Sequence, residues 1–222
     1  IGGAALIADG IITPPMTVTS AVEGLAILPA LRGMPTQTIV MIVLVILSVF
    51  FFLQQFGTAS IGKMFGPVMF VWFTMLAFFG IIHLSDDFGI FKALSPHYAI
   101  RFLITYPHGF WLLGAVFLCT TGAEALYSDL GHCGRQNIRA SWIYVKICLV
   151  LNYFGQGAYL ISHHSGLQVT EQVKQQLGLN AFFNLMPDWF VIPGVVIATA
   201  AAVIASQAMV SGAYTLVSEA MR

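Results

Sequence analysis

Charge is what this chain most lacks. Of its 222 residues only 8% are Asp, Glu, Lys or Arg, against roughly a quarter in an average soluble domain. Hydrophobic residues make up 58%, too much apolar surface for a water-soluble fold to cover. Mean hydropathy is +0.86 over the whole length, so the apolar character is not the single early peak of a cleaved leader. A basic surplus is also missing: nine basic and nine acidic residues cancel, which removes the field needed to hold nucleic acid. Cysteine is scarce. Cys119, Cys133 and Cys148 are odd in number and have neither C-x-x-C spacing nor a nearby His cluster, so they read as small apolar residues rather than a disulfide framework or metal site.

What is present is a succession of apolar runs. A membrane span needs about 20 such residues, and six stretches supply them: about 3–28, 37–56, 65–84, 108–128, 141–162 and 189–217. The expected fold is therefore all-α, a polytopic helical membrane protein in a single transmembrane domain over 1–222, embedded in a lipid bilayer. The second stretch, TIVMIVLVILSVFFFLQQF, has no charge. The first and last are rich in small and polar residues, as suits helices buried among helices. The chain opens on Ile1 with a polar motif inside ten residues, and it reads as an excerpt of a longer protein.

Short connections at 57–64 and 129–140 alternate with longer ones at 85–107 and 163–188, which puts the two kinds on opposite faces. Near the span ends, five basic residues (Lys63, Arg135, Arg139, Lys146, Arg222) mark the short-loop face. Four (Arg32, Lys92, Arg101, Lys174) mark the other. The balance leans toward short loops in the cytoplasm.

Carboxylates at membrane depth carry the chemistry, because an ionised one there costs at least a few kcal/mol unless paired, protonated or ligating a cation. Helical residues turn by about 100°, so Asp9, Thr13, Thr17, Ser20 and Glu23 share one stripe of the first span. Two carboxylates and three hydroxyls are hard oxygen ligands suited to an alkali cation. Pro14 and Pro15 interrupt the same span. They are expected to bend or break the helix and free backbone carbonyls. The bland alternative is that the hydroxyls bond back to their own helix and the carboxylates sit among headgroups. In the fourth span Thr121 and Glu124 stand three residues apart on one face, after Gly122. A buried Glu there can exchange a proton for a cation, since burial and a neighbouring cation push its pKa in opposite directions. Pairing with Lys146 or an Arg is the structural alternative.

Asn152, Gln156, Ser206, Gln207 and Ser211 fit interhelical hydrogen bonding as well as ligand binding. The six histidines lie at span ends and in loops, positions that suit an interface better than a haem or metal site.

The blocks ADGIITPPMTVTSAVEGL, FGPVMFVW, GAVFLCTTGAEALYSDLGHCGRQNIR, NYFGQGAYL and IASQAMVSGAYTL resemble the KUP/HAK/KT family of potassium-uptake transporters, in order and over nearly the whole chain. The resemblance implies potassium uptake with proton symport. It also implies a twelve-helix, inverted-repeat core of the amino-acid/polyamine/organocation type, in a plasma or bacterial inner membrane. This stretch would be its third to eighth helices, and the family's first helix, outside it, adds an Asp to the site. Residue by residue, Thr13, Thr17, Thr121 and Glu124 match potassium-binding positions, while Glu23, Glu124 and Asp9 are the proton-coupling candidates. Ala8 replaces the first Gly of the usual GDG, and Cys133 stands where an aromatic is common. Both departures touch packing, not oxygen ligands. No cofactor is implied beyond the transported ions, and a homodimer is compatible with the pattern without being specified by it.

Other classes stay open at this level. A channel would conduct without proton coupling, but no TVGYG-type filter is present. An intramembrane prenyl transferase would need repeated carboxylate motifs, and Asp86–Asp87 is one pair. The same fold could carry an amino acid, and composition alone does not choose between potassium and sodium.

Overall fold

A computed structural model describes residues 2–27, 35–54, 59–118, 134–164 and 181–221. All regular structure among them is helical. The α-helices are α1 (Gly2–Glu23), α2 (Thr36–Gln54), α3 (Ala59–Leu84), α4 (Pro96–Thr105), α5 (Gly109–Leu118), α6 (Arg135–His164) and α7 (Asp188–Ala220). Short 3-10 helices occupy Gly24–Ile27, Phe88–Leu94 and Ala181–Leu185. At 1.5 Å per residue α7 is about 50 Å long, more than the roughly 30 Å hydrocarbon core. Met64–Leu84 and Asp188–Thr215 are each long and apolar enough to cross it.

The chain divides into two compact units. One joins residues 1–79 to 166–222, and the other is 80–165.

In the first unit α1 and α7 run antiparallel in close contact. A Cβ on Gly10 would lie 3.4 Å from that of Ala213. Further along, Thr17 meets Ser206. At the end of α1 a Cβ on Gly24 would fall 2.6 Å from the Phe183 ring and 2.7 Å from Val195. Small residues are required along this seam because lipid offers no hydrophobic drive between helices, and close backbone approach supplies the attraction instead. On the other flank Val18 and Val22 of α1 pack with Ile39, Val43 and Leu47 of α2, residues four apart that form one narrow stripe. Ile42 and Ile46 pack partly against the same cluster, while Val40, Met41, Leu44, Val45 and Val49 are exposed. An exposed apolar face of that extent fits a hydrocarbon surrounding.

Pro14 and Pro15 do not break α1, which runs unbroken from Gly2 to Glu23. Proline lacks the N–H that would satisfy the carbonyl four residues back, so Gly10 and Ile11 lose their i+4 donors. Packing against α2 and α7 holds the helix together across that gap.

In the second unit the end of α3, from Gly80 onward, meets α6 through glycine. A Cβ on Gly155 would overlap the backbone of Gly80, and one on Gly80 would overlap the backbone at Leu151. Ile90 seats on Gly157, and the Phe91 and Phe154 rings lie 5.6 Å apart. The long connection at 85–107 is itself helical. Asp87 caps its 3-10 turn by accepting from the Gly89 N–H at 2.6 Å, and Pro96 starts α4 where a missing N–H has no consequence.

Candidate functional site

The oxygen stripe of α1 is half-buried at Asp9, Thr13, Thr17 and Glu23. Asp9, Thr13 and Thr17 follow at intervals of four, so one helix face presents them in a column. The Thr13 hydroxyl donates to Asp9 Oδ1 at 2.5 Å. Asp9 Oδ2 is buried and has no partner among the described residues. Thr17 donates to its own helix, 3.1 Å from both Thr13 O and Pro14 O, and its oxygen lies 3.5 Å from Ser206 Oγ. Ser206 in turn donates to Ala202 O at 2.7 Å. The back-bonding reading of the hydroxyls therefore holds for Thr17, while Thr13 serves the carboxylate.

Glu23 closes α1 in a half-buried position, and Ser20 of the same stripe is exposed. Thr121 and Glu124 lie outside the described residues, as do Cys119 and Cys133. Of the polar groups left undecided by sequence, Ser206 and Gln207 are buried on α7, whereas Ser211 is exposed. Asn152 of α6 is 5% exposed, and its Oδ1 has no partner among the described residues.

Cys148 is buried as a free thiol, in keeping with its reading as a small apolar residue. The described histidines lie at helix ends or in connections. His83 ends α3 and pairs with Asp86 at 2.7 Å, and its ring meets Tyr159 edge-on. Among the described residues no three His, Cys, Asp or Glu side chains group as a metal site.

The approach of Ser206 to Thr17 is the feature that sequence reasoning missed. Its signal was a hydroxyl beside Gln207 in a run made mostly of small apolar residues. Which α1 residue it faces depends on helix register, which local pattern does not fix.

An unbroken helix with a carboxylate–hydroxyl column, packed on a long small-residue helix, defines a segment of a polytopic membrane protein with a polar track inside it. A family model described as "K+ potassium transporter integral membrane domain" matches residues 1–222. The chain is 55% identical to a protein of Cytophaga hutchinsonii, 57% to one of Flavobacterium johnsoniae and 56% to one of Clostridium perfringens. Each of the three bears the name "Probable potassium transport system protein Kup". All of this chain is covered in each match, but 32%, 33% and 34% of those relatives, so it spans about a third of their length. No solved structure matches it. The chain belongs to the K+ potassium transporter integral membrane domain family, as the KUP/HAK/KT resemblance implied, and is a multi-pass segment of a cell-membrane protein.

Proposed function

We propose that the parent protein takes up potassium ions by secondary active transport coupled to proton symport, and that this chain supplies most of its ion site. The observation that carries the reading is the Asp9–Thr13 pair. One carboxylate oxygen is fixed by a hydroxyl and the other is buried and unpartnered among the described residues. A buried acceptor of this kind is costly unless a proton or cation meets it. Relatives named as potassium transport proteins support potassium as that cation.

Potassium would be held by oxygens of Thr13, Thr17, Thr121 and Glu124, near the bilayer midplane, with a helix outside this chain closing the site. Glu124, Glu23 and Asp9 are the groups that would carry the coupled proton. The six spans would form part of an inverted-repeat core. Alternating access then moves helix groups around the fixed site rather than opening a pore. No covalent step is required, so the reading is a transporter and not an enzyme.

The test is rubidium uptake by the full-length parent in cells deficient in potassium uptake, at several pH values, with Glu124→Gln alongside. Saturable uptake that rises with external acidity, and falls at least tenfold in the variant, is expected. Wild-type uptake by Glu124→Gln at equal expression would remove Glu124 from the site.

A further inference from the structure

Positive charge lines up along one face of α6. With about 100° between successive residues, Arg135, Arg139, Trp142 and Lys146 fall within about 60° of one another, and all four are exposed. None of the three cations has an ion pair among the described residues. The helix itself contains no Asp or Glu, and Asp86 pairs with His83 beside Tyr159, toward the opposite end of α6. Helical side chains lean toward the N-terminus, so Lys146, one turn deeper than Trp142, reaches back over it. Its Nζ lies 5.7 Å from the ring centroid. The stem then stays in the apolar layer while the ammonium rises toward the headgroups.

Beyond Lys146 the same face turns apolar. Val150 and Tyr153 continue it, each 49% exposed, with Ile143 and Ile147 exposed alongside. From Arg139 to Tyr153 the axis runs about 21 Å, close to the roughly 20–22 Å of one leaflet with its headgroups. Charge, then an indole, then aliphatic surface is the order of groups along a phospholipid, from phosphate to chain. An acidic peptide would match the arginines but not the apolar continuation.

We propose that this face of α6 holds one anionic phospholipid, with its phosphate at Arg135 and Arg139, its glycerol level at Trp142 and Lys146, and a chain along Val150 and Tyr153. Guanidinium groups bind phosphate oxygens as bidentate forks, and Trp is favoured at the interface. The face starts at the 129–140 connection, one of the short ones toward which the basic-residue balance leans as cytoplasmic, the side where membrane charge attracts basic segments. Nothing in the proposal depends on potassium or proton binding.

The full-length parent in lipid nanodiscs tests this, its thermal melting followed as phosphatidylglycerol replaces phosphatidylcholine. A saturable rise in melting temperature is expected, and it should shrink at about 1 M salt, where the screening length falls to about 3 Å. Arg135→Gln combined with Arg139→Gln should need at least about tenfold more phosphatidylglycerol for half of the rise. Arg135→Lys with Arg139→Lys keeps the charge, loses the forks and should fall between. Should the Gln pair not fold, the Lys pair and the salt series decide. A wild type indifferent to phosphatidylglycerol would overturn the proposal, as would variants that respond like wild type. Equal destabilisation of the variants in both lipids would also overturn it, marking the arginines as covered by another helix of the parent. The same rise from inorganic phosphate in phosphatidylcholine discs would replace the lipid by a free-phosphate site.

Discussion

The Thr13 hydroxyl donates to Asp9 across one turn of α1, at 2.5 Å, and leaves the other carboxylate oxygen buried. The bond fixes the rotamer of Asp9, so the free oxygen keeps a constant direction. Thr13→Val preserves shape and removes the donor. A hydrogen bond to a carboxylate contributes about 1.5–3 kcal/mol, so the variant should raise the KM for rubidium by about tenfold or more. Asp9→Asn should be more severe, since it removes the charge itself. Uptake kinetics of the two variants beside wild type check this, and an unaltered KM in both would remove Asp9 from the ion path.

Gly24 is the point where α1 meets both Phe183 and α7. Gly24→Val places atoms inside the Phe183 ring and against Val195, and overpacking of this kind costs about 1–3 kcal/mol. A lower melting temperature of the detergent-purified parent is expected. Phe183→Leu added to it should recover part of the loss. An unchanged melting temperature would mean that the two helices stand further apart at this point.

Glycines at the α3–α6 crossing should behave differently from those on open faces. Gly80→Ala and Gly155→Ala each meet backbone, which cannot rotate away as a side chain can. Both should lower stability. Gly66→Ala meets nothing within 4 Å and should be neutral or stabilising, by up to about 1 kcal/mol, because alanine favours a helix interior. Thermal melting of the three variants separates the positions, and equal effects at all three would contradict the crossing.

The helical membrane fold was legible because low charge and long apolar runs leave a chain few other solutions. The α1 column was legible for a similar reason: Asp9, Thr13 and Thr17 are four apart, and helix geometry alone then aligns them. Pro14 and Pro15 show where local rules stop. Their missing donors predict a bend or break, yet tertiary contacts with α2 and α7 carry the helix through. The helices within 85–107 were hidden by mixed polarity, their starts being set by the Asp87 side chain and by Pro96 rather than by apolar periodicity. Ser206 and Thr17 are 189 residues apart, and no local pattern reports the antiparallel register that brings them together. Thr121 and Glu124 were singled out from residue type and spacing alone, and they lie outside the described residues.

Coupling of potassium to protons is the centre of this account, and proteoliposomes holding the full-length parent test it most directly. With a pH-sensitive dye inside, an inward potassium gradient is expected to drive proton entry that saturates with potassium and is lost in Glu124→Gln. Passive potassium current with no accompanying proton movement would contradict it.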